Sequence, residues 1–483
     1  MLFSEPIFLF LFLPVLLAVY FATPERYKNF VLTISSLIFY AAGEDRFLPW
    51  LLGSIAVNYW IAIALDKYRG TDYSLPLLIL GVTSDLGLLI VFKYAAFIIN
   101  NLNHLLALGH IHQLSLPSPR LPLGISFFTF HKISYKVDVY RGTAEVRRQP
   151  LDLALYILLF PQLIAGPIIR YHDIADQIFR RTISRSTFAE GVRRFVIGLG
   201  KKMIIANTVA LPADKIFAIP HHELTCGLAW LGVICYSLQI YFDFSGYSDM
   251  AIGLGKMFGF RFLENFDYPY IASSITGFWR RWHISLSRWF RDYLYIPLGG
   301  NRCKPIRTYF NLLTVFLLCG AWHGASWHFV VWGLFHGSFL VIERLGLTKV
   351  LKSAPKSLAH VYTLLVVMIG WVLFRAETQP QAWSFLMAMT GFAQGDAIRH
   401  HIDLYLNTEL MLVILIGLVG STPVGPALSR WLSQSSSGDA AQARPVLAVI
   451  STTFELLFFG VVFSYSILLM VAGTYSPFIY FRF

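Results

Sequence analysis

The chain has 483 residues, of which 56% are hydrophobic and 14% charged, and its mean hydropathy is +0.58. An ordinary soluble domain is about 25% charged, so these values exclude a soluble globular enzyme and describe a polytopic membrane protein. The formal charge of +12 does not point to nucleic acid, because Lys and Arg lie in short loops between apolar runs rather than on one face of a soluble module.

Such basic loops instead mark the cytoplasmic side of a membrane, and they also attract an anionic ligand. A hydrocarbon core of about 30 Å takes roughly 20 apolar residues per helical span. The first run, "PIFLFLFLPVLLAVYFA" (6–22), has neither a basic n-region nor a small-residue cleavage site after it, so it reads as a retained span rather than a signal peptide. Apolar segments follow at 29–42, 48–65, 75–107, 123–139, 151–169, 187–210, 224–242, 245–258, 272–290, 308–320, 324–345, 357–374, 382–393, 408–428 and 446–472. Several are too short or too polar to span.

The segment 151–169 has basic flanks on both sides, "YRGTAEVRRQP" and "RYHDIADQIFRRTISR". Both flanks are therefore expected on the cytoplasmic side, which makes the segment re-entrant or interfacial, broken by Pro161, Gly166 and Pro167. Irregular backbone at membrane depth survives only where protein or a water-filled cavity satisfies its polar groups, so an internal cavity is expected. No internal repeat appears, which counts against a transporter built from inverted repeats. The one linker-like stretch is the polar loop 433–445.

Polar clusters inside apolar segments follow in order. "LPLGISFFTFHKISYKVDVYRG" (121–142) carries His131, Lys132, Lys136 and Asp138, and "QIYFDFSGYSDMAIGLGKMFGF" (239–260) carries Gln239, Asp243, Ser245, Ser248 and Asp249. The structural reading pairs Asp138 with Lys132 or Lys136, and Asp243 and Asp249 with arginines elsewhere. The functional reading has these groups line a substrate channel. Over 274–307, Arg281, Ser285, Arg288 and Asp292 recur at helical spacing opposite Trp282, Leu286, Trp289 and Tyr293. That pattern reads as a basic, aromatic amphipathic helix on the membrane surface. Attachment to a surface does not require His283.

"CGAWHGASWHFVVWGLFHG" (319–337) places His323, His328 and His336 in an apolar run. Ionisable groups at that depth are costly and mark sites of function. His323, beside Trp322, Gly324, Ala325 and Ser326, suits a general base, since a neutral imidazole can take a hydroxyl proton and return it. His328 and His336 read as helix-packing residues. His323 and His328 stand roughly 140° apart on a helix, and there is no HExxH, so zinc is disfavoured. No G-x-S-x-G elbow or Walker spacing occurs. Cys226, Cys235, Cys303 and Cys319 lack metal or disulfide spacing and read as structural thiols.

Taken together, "LPLGISFFTFHKISYKVDVYRG", "FPQLIAGPI", "YFDFSGYSDMAIGLGKMFGF", "LENFDYPY", "FWRRWHISLSRWFRDYLYIPLGGNR", "AWHGASWHFVVWGLFHG" and "GWVLFRAE" resemble the membrane-bound O-acyltransferase family, on its branch of bacterial alginate and exopolysaccharide O-acetyltransferases. The one departure is "FHKISY", with His131 and Lys132 where a neutral polar and a small apolar residue are expected.

The resemblance implies an all-α, polytopic bundle with re-entrant segments around a central tunnel. It forms a single domain over 1–483, with a catalytic core near 121–377 and C-terminal spans near 382–472. The chain would sit as a multi-pass protein in the bacterial inner membrane. The family's near-invariant histidine falls on His323 and its second polar catalytic position on His283. The donor would be acetyl-CoA or an acyl carrier, arriving as substrate from the cytoplasm, with no cofactor bound permanently.

On this reading Arg280, Arg281, Arg288, Arg291 and Arg302 hold the donor's phosphates, and Trp322, Ser326, Trp327, Asp243 and Ser245 line the channel. His283 orients the donor or stabilises the tetrahedral oxyanion. The acceptor is a polysaccharide hydroxyl, reached directly or through a periplasmic or membrane-anchored partner protein, and nucleic acid plays no part. Peptidoglycan, cellulose and teichoic acid remain open as acceptors. A proton-coupled transporter and a non-catalytic export scaffold are the rival classes.

Overall fold

A computed structural model describes residues 1–115, 121–392, 399–427, 444–473 and 475. The expected linker at 433–445 lies outside the described residues up to Arg444, where a helix begins. Among the described residues the architecture is entirely helical. The first half comprises α1 (Leu13–Ala22), α2 (Lys28–Glu44), α3 (Leu48–Lys67), α4 (Ser74–Leu89), α5 (Ala95–Leu108), α6 (Ile125–Arg141), α7 (Pro150–Leu158), α8 (Phe160–Leu163), α9 (Tyr171–Phe179), α10 (Arg185–Gly200) and α11 (Asn207–Phe217). The second comprises α12 (Cys226–Met257), α13 (Ile275–Trp279), α14 (Ile284–Phe290), α15 (Pro305–His323), α16 (Trp327–Ile342), α17 (Thr348–Ser353), α18 (Lys356–Arg375), α19 (Gln379–Thr390), α20 (Thr408–Gly420) and α21 (Arg444–Val471).

Seven helical stretches among the described residues are long and apolar enough to cross a membrane. The chain is a multi-pass membrane protein. Its centre is α12, whose window is 83% buried, whereas that of the last span is 11% buried. The difference separates a helix enclosed by protein from one that faces lipid.

Glycine sets how closely the central helices approach. A Cβ on Gly198 of α10 would stand 2.5 Å from the Gly246 carbonyl of α12, and one on Gly246 would stand 2.7 Å from the Gly198 carbonyl. Gly191 and Gly253 repeat the relation two turns away, at 2.7 and 2.6 Å. Small residues at a helix interface let the backbones touch, and packing of this kind replaces the hydrophobic drive that lipid cannot supply.

The segment 151–169, expected to be re-entrant or interfacial, folds back on itself. Helix α7 breaks at Leu159, α8 adds one turn, and the chain then returns beside α7, so that Tyr156 OH donates to Ile169 O at 2.9 Å. Its exposed polar groups are met by protein: Ser36 Oγ accepts from Phe160 N at 3.1 Å and Ser285 Oγ from Ile168 N at 2.9 Å. The basic flanks close on one end of the bundle, where Arg141 donates to Asp292 O at 3.0 Å and Arg147 Nε to Tyr171 OH at 2.9 Å.

Three expectations change. Asp138 pairs with neither lysine of its own helix; it meets His172 Nδ1 at 2.9 Å and Tyr293 OH at 2.8 Å. Lys132 and Lys136 instead share Asp85 of α4, at 2.9 and 2.5 Å, with all three side chains buried. One turn of α6 separates the lysines, so they reach the same neighbouring helix.

Of the two aspartates on α12, Asp249 takes Arg194 as foreseen, together with Lys201, but Asp243 takes Lys202 at 2.6 Å. Finally, 274–307 is not one amphipathic surface helix. α13 ends at Trp279, and a turn over 280–283 redirects the chain into α14, which widens into a π-helical turn at Arg291–Tyr295. Ser285, expected on the polar face, is buried.

Candidate active site

Helix α15 ends at His323 because Gly324 leaves the helix in an extended conformation, φ −163° and ψ 152°. A helix end leaves four carbonyls without intrahelical partners, and here each has one. Gly324 N reaches Gly320 O at 3.4 Å, Tyr94 OH reaches Ala321 O at 2.7 Å, and Lys93 Nζ reaches Trp322 O at 2.6 Å and His323 O at 3.1 Å. The His323 ring is enclosed by aromatic edges and faces: Trp322 at 4.9 Å, Trp332 at 5.1 Å and Phe374 at 5.2 Å between centroids. It is 9% exposed, toward a cavity.

His283 reaches the same region from another direction. It is the turn residue before α14 and adopts φ 43° and ψ 54°. That left-handed backbone costs a non-glycine residue about 1–2 kcal/mol. The conformation is held by the facing segment, since Asn265 O accepts from Ile284 N at 3.0 Å. The Asn265 side chain does more, because its Oδ1 accepts from Ser285 N at 3.2 Å and Ser285 Oγ at 2.8 Å and stands 3.1 Å from His283 Nδ1. The His283 ring lies 6.4 Å from the Trp322 ring. Trp322 thus touches His323 on one edge and lies near His283, joining two residues forty positions apart.

Two cavities flank the C-terminal half of α15. One, of about 410 Å³, is largely apolar. Arg280, Arg344 and Ser287 stand in its wall, and Trp279, Phe316 and Cys319 stand deeper. The second, of about 300 Å³, is lined by Glu5, Glu44, Lys93, Ser126, Trp322 and His323. Both volumes suit a small-molecule site. Cys319 and His323 are one turn apart on α15, so a single helical turn separates one cavity from the other.

The five arginines expected to form one phosphate site do not line one cavity. Arg280 lines the larger cavity. Arg281 is spent on Asp267 at 2.7 Å and Arg291 on Asp292 at 2.6 Å, while Arg288 and Arg302 are exposed and line none of the cavities described here. Arg344, which periodicity does not single out, lines the same cavity as Arg280.

Near Asp292, burial works against the carboxylate, but Arg291 and Arg170 outweigh it and hold its pKa below the usual range. Of the channel residues, Trp322 lines the smaller cavity. Ser326 is bonded to His328 Nδ1 at 2.8 Å, and Trp327, 56% exposed, donates to Asn101 at 2.8 Å. Asp243 and Ser245 are buried within α12 and line neither cavity.

His336 is a packing residue as expected, boxed by Trp279 and Trp332 at 5.2 Å each. Sequence reasoning passed over Lys93 and Asn265. The first had a visible signal, a lone lysine in "LLIVFKYAAFII", and the second had none beyond its place in "LENFDYPY".

The model of the membrane-bound O-acyltransferase family matches residues 122–377. Over its full length the chain is 42% identical to the probable alginate O-acetylase AlgI of Azotobacter vinelandii, covering 100% of both chains. It is likewise 42% identical to the probable alginate O-acetylase AlgI of Pseudomonas aeruginosa, again over 100% of both. The peptidoglycan O-acetyltransferase of Helicobacter pylori is 40% identical over 81% of this chain and 80% of its own.

Proposed function

The chain belongs to the membrane-bound O-acyltransferase family and is an acyltransferase, and from that premise we propose that it moves acetyl groups from acetyl-CoA to hydroxyls of an exopolysaccharide such as alginate. The observation that carries this reading is the placement of His323 at a helix end, lining one cavity while Cys319, one turn earlier, lines another. The basic end faces the cytoplasm of a bacterial inner membrane, following the positive-inside rule. The donor enters the larger cavity, its phosphates meeting Arg280 and Arg344, since guanidinium pairs with phosphate through two parallel bonds.

His323 acts as general base. It takes the proton of the acceptor hydroxyl, the oxygen forms a bond to the thioester carbon, the carbon–sulfur bond breaks, and the proton passes to the leaving sulfur. Such proton transfer is worth about 10²–10⁴ in rate. His283 orients the reacting groups. With Nδ1 turned to Asn265 Oδ1, its Nε2 presents a lone pair, so it receives a hydrogen bond from the substrate and would need a second proton before it could stabilise an oxyanion.

The acceptor is the polymer itself or the hydroxyl of a partner protein that completes transfer outside the membrane. A second acceptor, peptidoglycan, is favoured by the name of the Helicobacter relative. A proton-relay transporter is not favoured, because Asp85, Asp138, Asp243 and Asp249 are each tied to a cation or hydrogen-bond donor rather than strung along a path.

The test is polymer O-acetyl content in cells carrying His323→Ala, with membrane levels of the protein followed alongside. Loss of acetyl at normal protein abundance supports the reading; normal acetyl content rules out His323 as the base.

A further inference from the structure

We propose that Lys93, assisted by Tyr94, is the positioning residue of His323. The proposal rests on the reading of His323 as general base.

An α-helix turns 100° per residue, so two consecutive side chains do not ordinarily serve one target. Lys93 and Tyr94 do, because the helix carrying them widens into a π-helical turn over Ile90–Tyr94. Insertions of this kind within α-helices occur often at functional sites. The result is that one short stretch of chain supplies partners for three successive carbonyls, Ala321, Trp322 and His323, at 2.7, 2.6 and 3.1 Å. Ser126 Oγ of α6 is a further acceptor for Lys93 at 3.3 Å.

The surroundings of Lys93 fit the same role. Among the described residues no carboxylate lies within ion-pair distance of its side-chain nitrogen. That nitrogen is set against the negative end of a 19-residue helix, where a donor or a cation is favoured by the aligned peptide dipoles. An ordinary helix end would be closed by its own chain, through a glycine in the left-handed conformation. Here Gly324 is extended, so the last turn depends on another helix for closure.

What this closure fixes is the direction of the imidazole. Trp322 and His323 are the final two residues of α15, and their rings define the wall of the smaller cavity. If the last turn frays, the imidazole moves relative to both cavities. A displacement of about 1 Å at a catalytic group costs about 100-fold in rate. Lys93 itself lines that cavity but does its work through the backbone of His323.

The experiment compares full-length wild type, Lys93→Met, Lys93→Arg and Tyr94→Phe in detergent micelles by hydrogen–deuterium exchange, and in cells by polymer O-acetyl content at matched protein level. Lys93→Met is expected to speed exchange over residues 316–326, leave 226–257 unchanged, and lower the acetyl-transfer rate about 100-fold. Lys93→Arg, which retains the cation and its donors, is expected to restore both readouts in large part. Tyr94→Phe removes one bond and gives a smaller change in the same direction.

Unchanged exchange in Lys93→Met overturns the proposal. So does faster exchange with normal acetylation, or an arginine variant as defective as the methionine one. Should His323→Ala retain normal acetyl content, the base assignment fails by itself, and the exchange comparison still decides whether Lys93 holds the helix end. If Lys93→Met does not accumulate, Tyr94→Phe carries the same comparison.

Discussion

Asn265 Oδ1 stands 3.1 Å from Nδ1 of His283 and 3.2 Å from the backbone nitrogen of Ser285. The second contact decides the first. A backbone N–H can only donate, so the atom facing it is the amide oxygen, and the imidazole nitrogen that shares this oxygen must carry a proton. In the neutral ring the other nitrogen is then bare. The tautomer follows from the hydrogen-bond partners rather than from any observed hydrogen.

Nitrogen-15 spectra of histidine-labelled protein are expected to show His283 as the Nδ1–H tautomer, identified by its loss in His283→Gln. Asn265→Asp keeps an acceptor at that position and preserves the signal. Asn265→Leu removes it, leaves the buried Ser285 N–H unsatisfied at a cost of about 1–3 kcal/mol, and lowers transfer. A spectrum dominated by the Nε2–H form in wild type would contradict the assignment.

The left-handed backbone of His283 separates folding from chemistry. Asn tolerates that conformation and a β-branched residue does not. His283→Asn is therefore expected to accumulate in the membrane at close to the wild-type level without supporting polymer acetylation, while His283→Val loses protein as well. Immunoblots beside acetyl assays test the distinction.

Asp85 holds two buried lysines at once. Asp85→Leu leaves both ammonium groups without a carboxylate, and breaking a buried pair from one side costs about 3–5 kcal/mol. A large drop in the thermal midpoint in detergent is expected. The triple variant with Lys132→Met and Lys136→Met should recover most of it, because no orphaned charge remains.

His172 lies outside the spans, exposed beside Asp138. The hydrogen bond to Asp138 raises its pKa, against the opposing effect of burial. A raised folded pKa means that the protonated ring stabilises the fold. That contribution is complete below the unfolded value of about 6.5 and disappears as pH rises through the folded one. Wild type should exceed His172→Gln in thermal midpoint below about pH 6.5 and lose the advantage as the pH rises through the raised folded value.

The membrane class, the folded-back segment and the buried place of His323 were legible in the sequence, because each leaves a local mark: apolar length, basic flanks around a proline-broken run, or an imidazole where lipid would be expected. The partners of charged groups were not. Asp138 sits within one turn of both lysines yet bonds to His172 and Tyr293, since which residues meet across helices depends on packing that one-dimensional spacing does not encode. The stretch 274–307 misled for a related reason. Its helical periodicity is genuine over short pieces, but a left-handed turn at His283 resets the phase, and periodicity read across that turn assigns Ser285 to the wrong face. Arg344 was missed because it joins the site from beyond α16, far from the basic run that drew notice.

Cys319 lines one cavity and His323 the other, about 6 Å apart along the helix axis. An energised bilayer drops its voltage across whatever is not water. With both cavities hydrated, that insulator narrows here from about 30 Å to roughly one helical turn. Moving a unit charge through it does up to about 2.3 kcal/mol of work per 100 mV. On the proposed path the hydroxyl oxygen and the thioester sulfur meet at one carbon beside this turn, so any charged group that must cross it to reach that carbon moves through most of the field, and acyl transfer in energised vesicles is expected to vary with membrane potential.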